Sequence, residues 1–379
     1  MLIENVLLDG RAVDVTIDGG RFAAITSSVA EEKPRYAIVP SFYNTHGHSA
    51  MMPMRGYGDD RPLQVWLQDY VWPYEDKMTP ADLHDGYEAA IGEMIATGTT
   101  AFNDMYFELD QVIGQVAASG MRAFLGVTVM ENHSKAQTAA KMEFVRQFRD
   151  PSGGRIKLLM APHAIYTVGE EKLRWSAEFA RENGMKIHIH VSETRKEVED
   201  CLREHGTTPV RYLDSLGFLG PDVIAAHCVH VDEQEWDILA ERGVAVAHCP
   251  CSNMKLGSGR FPYEMAVRSG VRITLGTDSV SSNNNLDMRE EMKFASLLAK
   301  VAGDHELVPA PQVFDWATRC GAEALGVDGG VIDVGKVADF LLLDLGNPRM
   351  KPCHNLLSNW VYAADSSCIA SVWCDGKKL

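Results

Sequence analysis

The sequence predicts an α/β protein: a (β/α)₈ TIM barrel joined to a small β-sandwich domain that the two chain ends form together. Three features predict it: eight short apolar runs each followed by a helical stretch, hairpin-like segments at both chain ends, and polar side chains where the apolar runs end. Strands that alternate with helices are typical of parallel sheets. Eight such units favour a closed barrel over a doubly wound open sheet, which is the alternative.

The apolar runs predict the strands of the barrel. Amphipathic stretches between them, such as Pro80–Ala96 and Glu170–Asn183, are followed by a glycine before the next run begins. Glycine just past a helix is a common stop signal, because it adopts the left-handed conformation without strain. We therefore expect the barrel to occupy residues 41–334. The eight runs are Ala37–Thr45, Thr99–Met105, Arg122–Val129, Ile156–Ala161, Lys186–Val191, Val223–Cys228, Val244–Cys249 and Arg272–Thr277.

Both chain ends have the pattern of β-strands. Near the start, three short strand-like segments are separated by Asp9-Gly10 and Asp18-Gly19-Gly20, which are typical of hairpin turns. Near the end, Asp339–Leu345 and Ile369–Asp375 have the same character. Neither end has enough apolar surface to fold alone. We therefore expect residues 1–40 and 335–379 to form one small composite β domain.

Composition excludes several classes of function. Of the 379 residues, 46% are apolar and 23% charged, as in globular proteins, and the net charge of −16 argues against binding to nucleic acid or to an anionic membrane surface. No apolar run approaches the ~20 residues of a membrane-spanning helix. The first ten residues carry Glu4 and Asp9 and lack a basic segment, so no signal peptide is expected. The eight cysteines contain no CxxC pair, which favours free thiols in the cytoplasm.

Polar side chains with catalytic potential stand at the carboxyl ends of the apolar runs. In a (β/α)₈ barrel, active sites lie on this face. A single histidine there is more often structural, but a set at corresponding strand ends indicates an active site. The set is His46 and His48 after the first run, His163 after the fourth, His190 after the fifth, His227 after the sixth, His248 after the seventh and Asp278 after the eighth.

Four of these residues suggest a metal site. His46 and His48 are two apart on a strand, so their imidazoles point to the same side and can meet one cation. His190 and Asp278 complete three nitrogens and one carboxylate, a set that suits catalytic Zn²⁺, with Fe²⁺ and Mn²⁺ as alternatives that ligand type does not separate. His188 points the same way as His190 but one layer deeper, which indicates a core histidine.

Two neighbours of this site have the chemistry of proton transfer. Glu193 follows His190 on the same loop, where it could move protons between a bound water and a substrate; the alternative is a solvated acid at a helix start. His227 projects from the next strand and could orient or polarise the attacking hydroxide.

Several segments resemble the amidohydrolase superfamily, and more closely its branch of cytosine-, guanine- and adenosine-type deaminases and chlorohydrolases. The nearest resemblance is to the 5′-methylthioadenosine/S-adenosylhomocysteine deaminase group, and it covers nearly the whole chain. The segments that carry it include Asn44-Thr45-His46-Gly47-His48, His190-Val191-Ser192-Glu193-Thr194, Ala226-His227-Cys228-Val229-His230, Leu275-Gly276-Thr277-Asp278, Asn103-Asp104-Met105-Tyr106 and Ser252-Asn253-Met254-Lys255-Leu256-Gly257.

The resemblance implies a role for each site residue. It implies one divalent metal on His46, His48, His190 and Asp278, since binuclear members carry a modified lysine where this chain has Ala161-Pro162-His163. It implies hydrolytic deamination, in which Asp278 accepts a proton from the attacking water, Glu193 shuttles protons and His227 polarises the water. For the substrate, it implies that Glu75 accepts the ribose hydroxyls, that Trp66 packs along the ligand, and that His163 lies near the base or sugar. Family habit also implies a homo-oligomer.

The segment after the third run departs from the family pattern. Members that take S-adenosylhomocysteine well have arginines there, against the amino-acid carboxylate, whereas Gly126–His133 contains Glu131 and no arginine. Lys135 or a neighbouring subunit is the possible substitute. We therefore rank 5′-methylthioadenosine, adenosine and 5′-deoxyadenosine above S-adenosylhomocysteine. The alternatives are a deaminase or chlorohydrolase of another heterocycle (guanine, a pterin or a triazine) and a binding protein descended from an enzyme.

Overall fold

The computed structural model of the protein describes residues 1–301 and 303–379. Its strands form an eight-stranded parallel sheet and a seven-stranded mixed sheet. The strands are β1 (Leu2–Leu8), β2 (Arg11–Asp18), β3 (Arg21–Ser27), β4 (Tyr36–Pro40), β5 (Phe42–Gly47), β6 (Thr99–Tyr106), β7 (Arg122–Val129), β8 (Ile156–Pro162), β9 (Ile187–Val191), β10 (Val223–His227), β11 (Ala245–His248), β12 (Arg272–Leu275), β13 (Phe340–Asp344), β14 (Ile369–Cys374) and β15 (Lys377–Lys378).

Helices separate the strands of the parallel sheet, as the alternating pattern predicts. A π-helical turn, Leu67–Val71, connects the first two of these helices. The α-helices are α1 (Leu63–Trp66), α2 (Trp72–Glu75), α3 (Pro80–Ala96), α4 (Ile113–Ser119), α5 (Lys135–Gln147), α6 (Glu170–Glu182), α7 (Arg195–His205), α8 (Pro209–Ser215), α9 (Glu233–Glu241), α10 (Pro250–Lys255), α11 (Tyr263–Ser269), α12 (Met288–Lys300), α13 (Ala310–Ala317), α14 (Arg319–Leu325) and α15 (Leu356–Tyr362).

The parallel sheet is the predicted barrel. Strands β5 to β12 follow one another in chain order, each parallel to its neighbour. The first and last strands meet where Thr45 Oγ1 donates a hydrogen bond of 2.8 Å to the carbonyl of Leu275, and Gly47 bridges Asp278 in parallel. This closure brings the residues after β5 next to those after β12.

Local sequence determines where several helices begin. Thr79, at the start of α3, and Asp82, three residues on, satisfy each other's backbone N–H groups in a capping box. Proline at the first position of α3 costs no hydrogen bond, because that N–H has no partner within a helix. Asp232 and Glu235 form the same motif at α9.

The chain ends form the mixed sheet, in the order β15-β14-β13-β4-β1-β2-β3, around a core of its own that includes Val15, Phe22 and Phe340. The predicted fold class is therefore confirmed, while the boundaries at residues 40 and 335 stay a prediction. The apolar run Ala37–Thr45 is not one strand, as the sequence suggested, but two. It breaks at Ser41 after Pro40, so that β4 joins the mixed sheet and β5 opens the barrel.

Buried polar contacts join the two sheets at the amino ends of the barrel strands. Arg122, the first residue of β7, places its Nε 2.7 Å from a carboxylate oxygen of Asp339, and Tyr43 donates to the same carboxylate at 2.8 Å. This end of the barrel lies opposite the carboxyl ends of the strands, where the candidate site is. Among the described residues, none of the helices combines the length and the apolar character needed to cross a membrane.

Candidate active site

The backbone turns sharply where the barrel strands end. His227 and Asp278 adopt positive φ angles of 72° and 59°, and Ser192, directly after β9, has a φ of 50°. Such conformations cost a residue with a side chain of order 1–3 kcal/mol, and they persist where the surroundings enforce them. Hydrogen bonds of 3.0 Å from the N–H of Asp278 to the His46 carbonyl and from the N–H of Cys228 to the Val191 carbonyl do so here.

These turns bring the predicted metal ligands together. One carboxylate oxygen of Asp278 lies 3.4 Å from His46 Nε2 and 3.3 Å from His48 Nε2. The ring centroids of His46 and His190 are 4.9 Å apart. Ligand atoms of His46, His48 and Asp278 all lie within 4.8 Å of one another, and so do those of His46, His190 and His227. The two sets share His46, so they form one continuous cluster.

Each histidine among the ligand candidates is held in place through its Nδ1 atom. His48 Nδ1 lies 2.7 Å from the Met105 carbonyl, His190 Nδ1 lies 2.8 Å from the His163 carbonyl, and His46 Nδ1 lies 2.7 Å from His188 Nε2. The Nε2 atoms are thus left for the cluster, and His46 Nε2 is buried without a hydrogen-bond partner among the described residues. Imidazoles held in this way, with a carboxylate, fit a divalent cation such as Zn²⁺.

Electrostatics favours a cation at the same point. Burial lowers the pKa of His46 to about 4 and that of His190 well below its ordinary value, so both rings are neutral and offer a lone pair. Burial opposes ionisation of Asp278, but the adjacent imidazoles of His46 and His48 hold the pKa of its carboxyl well below the usual range. Burial also opposes protonation of His48, yet Asp278 raises the pKa of that ring to about 9. The carboxylate therefore attracts positive charge to the cluster.

Glu193 lies beside the cluster in a buried position suited to proton transfer. Its side chain is 6% exposed, accepts a hydrogen bond of 3.2 Å from the Ser258 hydroxyl, and lies 3.9 Å from His227 Nε2. Burial raises the pKa of Glu193, so the carboxyl holds a proton more readily than an exposed glutamate does. The Nδ1 atom of His227 lies 2.9 Å from Asn253 Oδ1, which orients its ring.

A cavity of about 730 Å³ opens over these residues. Its volume suits a ligand of nucleoside size. His48, His190, Glu193, His227 and Asp278 line its floor, and apolar and aromatic side chains form much of its wall. The wall includes Met51, Leu63, Trp66, Leu67, Val71, Trp72, Phe107, Met130, Tyr166 and Leu256.

Comparison with known proteins identifies the family. A family model described as the amidohydrolase family matches residues 37–379. The chain belongs to the amidohydrolase family. Its sequence is 42% identical to a 5-methylthioadenosine/S-adenosylhomocysteine deaminase of Haloarcula marismortui, over 90% of this chain and 81% of that protein. It is 44% identical to a 5′-deoxyadenosine deaminase of Methanothermobacter thermautotrophicus, over 99% of this chain and 93% of that protein.

Solved structures confirm the barrel architecture. An adenosine deaminase of Xanthomonas campestris with bound zinc aligns with a TM-score of 0.91 and 36% identity, over 99% of this chain and 89% of that one. A guanine deaminase of C. acetobutylicum with bound guanine aligns with a TM-score of 0.88 over 97% of this chain and 94% of that one. The latter is only 21% identical, so it supports the fold alone.

The three residues predicted to contact substrate also line the cavity of this amidohydrolase. Glu75 is half-buried and accepts a hydrogen bond of 2.8 Å from the Tyr106 hydroxyl; its burial raises the pKa of the carboxyl. Trp66 is 5% exposed. His163 is half-buried, and burial lowers its pKa to about 3, which keeps the ring neutral. All three stand on the same cavity as Glu193.

Several contact residues were not predicted as site residues. Tyr106, Asn253 and Ser258 touch Glu75, His227 and Glu193 respectively. Tyr106 and Asn253 stand in segments that carry the family resemblance. The resemblance therefore included these two residues but assigned no role to them. Ser258, His188 on β9 and Glu197 on α7 lie outside those segments.

The cavity of the amidohydrolase is lined by acidic side chains but, among the described residues, by no lysine or arginine. Glu75, Asp76 and Glu131 are among its lining residues. Lys135 is exposed at the start of α5 and is not among the lining residues. The nearby Lys172 is engaged by backbone, with its Nζ donating to the carbonyl of Glu131 at 2.6 Å.

Proposed function

We propose that this amidohydrolase removes the exocyclic amino group of an adenosine-type nucleoside by hydrolysis, giving the inosine analogue and ammonia. The observation that carries the proposal is the position of Glu193, buried and 3.9 Å from His227, beside a histidine–carboxylate cluster on the floor of a nucleoside-sized cavity. Relatives at 42% and 44% identity named as deaminases of 5-methylthioadenosine, S-adenosylhomocysteine and 5′-deoxyadenosine support the same reaction.

We assign one divalent cation to His46, His48, His190 and Asp278. Zn²⁺ is the first choice, supported by the zinc in the related adenosine deaminase, and Fe²⁺ and Mn²⁺ suit the same ligand types. When bound, the cation supplies a Lewis acid that makes water nucleophilic near neutral pH.

The chain's own residues handle the protons. Asp278 is ionised, so it can accept a proton from the attacking water. Glu193, whose pKa burial raises, delivers its proton to the ring nitrogen beside the carbon under attack. The proton taken up by Asp278 then passes to the leaving amine, and Glu193 recovers a proton from the new hydroxyl group as ammonia departs. His227, oriented by Asn253, polarises the water from the other side.

Other residues that line the cavity select the substrate. Glu75 accepts hydrogen bonds from the two ribose hydroxyls, each worth roughly 1.5–3 kcal/mol to a charged acceptor. Trp66 packs along the ligand and His163 lies near the base or sugar. Glu131 and Asp76 line the cavity, no lysine or arginine of the described residues does, and the nearby Lys172 is already paired with Glu131, at 3.7 Å from its carboxylate. A 5′ substituent that ends in a carboxylate is therefore disfavoured. The substrate is therefore 5′-methylthioadenosine, adenosine or 5′-deoxyadenosine in preference to S-adenosylhomocysteine.

Ammonia release from purified, zinc-loaded protein tests this proposal. 5′-Methylthioadenosine, 5′-deoxyadenosine, adenosine, S-adenosylhomocysteine and guanine are compared at equal concentrations. Rapid release from the neutral nucleosides alone is expected. Comparable release from S-adenosylhomocysteine would contradict the selection against a charged 5′ group. Release from guanine alone would replace the nucleoside by a free base, which is the second candidate, and would remove Glu75 from its ribose role.

A further inference from the structure

His188 contacts one of the assigned metal ligands from beneath. It lies on β9, two residues before His190, and is fully buried. Its Nε2 is 2.7 Å from His46 Nδ1, and its Nδ1 is 3.2 Å from the carbonyl oxygen of Ile224 on the neighbouring strand β10. The ring therefore bridges the backbone of one barrel strand and a side chain from another.

These two contacts determine which nitrogens carry hydrogen. A carbonyl oxygen can only accept, so the Nδ1 of His188 must be the atom that carries a hydrogen. In a neutral ring its Nε2 then holds a lone pair and accepts from Nδ1–H of His46. With its hydrogen on Nδ1, His46 has a lone pair on Nε2, the atom that lies 3.4 Å from Asp278. The opposite arrangement would point an N–H at the cluster, where a cation would be repelled.

The other two histidine ligands are oriented differently. The Nδ1 atoms of His48 and His190 contact the backbone carbonyls of Met105 and His163. Those carbonyls are present whichever side chain stands at the two positions. Only the His46 anchor, among these three, depends on a side chain, so its loss can be tested by substitution. If His188 merely filled space in the barrel, its substitution would leave the orientation of the His46 ring unchanged.

We propose that His188 is a positioning residue that sets the tautomer and direction of the His46 imidazole for the metal ion. This inference rests on the proposed function, because it takes His46 as a ligand. Partners of this kind typically change metal affinity 10- to 100-fold when removed. His188 acts on the cation through His46 and does not itself touch the cavity.

Zinc affinity, measured by competition with a chromophoric chelator, tests the role without reference to activity. In His188→Met the side chain keeps a similar length but offers only a weak sulfur acceptor, and zinc affinity should fall about 10- to 100-fold. In His188→Gln the amide oxygen can accept from His46 Nδ1–H, and affinity should stay within about threefold of the wild type. The matched control is His248→Met, because His248 is a buried barrel histidine bonded to the Tyr263 hydroxyl at 2.8 Å and makes no contact with His46.

The outcomes separate this inference from the proposed function. Failure of the wild type to bind zinc, or full affinity in His46→Ala, would overturn the assigned metal site itself. Loss in His46→Ala with wild-type affinity in His188→Met would overturn only the role of His188, and so would equal losses in His188→Met and His248→Met. Should His188→Met not fold, histidine ¹⁵N NMR of the zinc-loaded wild type decides. The inference requires a protonated Nδ1 on both His46 and His188, and a protonated Nε2 on His188 would refute it.

Discussion

Glu197 clamps the loop that carries Glu193. One carboxylate oxygen of Glu197 accepts the N–H of Ser192 and the other accepts the N–H of Glu193, both at 2.8 Å. Glu197 stands on α7, is 4% exposed, and burial raises its pKa to about 8. The Glu193 side chain reaches Ser258 and His227 from this fixed backbone. The first turn of a helix therefore determines where the proposed proton carrier stands.

Replacing Glu193 by glutamine should abolish most turnover and leave the metal in place. The amide has nearly the shape of the acid but cannot carry a proton, so kcat should fall about 10²- to 10⁴-fold. Steady-state ammonia release measures the loss, and metal analysis should show the zinc content of the wild type. The exposed Glu199→Gln on α7 is the control and should be unaffected. Near-normal turnover in Glu193→Gln would remove Glu193 from the mechanism.

Glu197→Gln should slow the reaction although Glu197 does not line the cavity. The amide can accept only one of the two N–H groups and turns its own NH₂ against the other, which displaces the loop. A displacement near 1 Å can cost about 10²-fold, so kcat should fall 10- to 100-fold with little change in zinc affinity. Glu235→Gln, a buried glutamate in the capping box of α9, is the matched control. An unchanged kcat would show that the clamp is dispensable.

The same substitution should alter how stability depends on pH. Because burial raises the pKa of Glu197 from 4.5 to about 8, the folded protein keeps this proton over a range where the unfolded chain releases it. Its contribution to the free energy of unfolding is therefore complete below pH 4.5 and is lost as the pH rises through 8. Between pH 6 and pH 8, the free energy of unfolding of zinc-saturated protein, measured in urea, should fall less for Glu197→Gln than for the wild type. Glu199→Gln is the control and should follow the wild type. The same dependence on pH in Glu197→Gln and the wild type would contradict the prediction.

Glu75→Ala should discriminate between a nucleoside and its free base. Without the carboxylate, the ribose hydroxyls lose a charged acceptor, so kcat/KM for 5′-methylthioadenosine should fall at least about 10-fold more than kcat/KM for adenine. Asp76→Ala is the matched control, since Asp76 is the neighbouring acid on the cavity wall. An equal effect on the two substrates would exclude the ribose role of Glu75.

Arg122→Met should destabilise the protein without changing its chemistry. The substitution leaves the fully buried Asp339 without its cation, which typically costs about 3–5 kcal/mol in the free energy of unfolding. Arg242→Met removes an ion pair to Asp214 whose arginine is 51% exposed, and it should cost at most about 1 kcal/mol. Because Arg122 lies at the amino end of β7, KM should be unchanged below the unfolding transition. Equal costs for the two variants would show that the buried pair adds nothing.

Much of the secondary structure and the location of the site could be predicted from sequence. The helix predicted at Pro80–Ala96 has the same bounds in the structure, because its cap and its periodicity are local properties. The break between β4 and β5 was not predicted, because both sides of Ser41 are apolar and both strands are buried. Which sheet each half joins is decided by partners elsewhere: β13 for β4 and β6 for β5.

The sequence by itself determined the barrel, the small domain of the chain ends, and the set of histidines and acids at the carboxyl ends of the strands. These follow from hydrophobic periodicity and from residue types at strand ends, which are short-range patterns. Only the tertiary structure decided which of these groups meet. Barrel closure brings Asn44 and Thr277, 233 positions apart, to 2.7 Å, and the same closure sets Asp278 beside His46 and His48. The contact that makes His188 more than a core histidine likewise joins two strands, so no local pattern could reveal it.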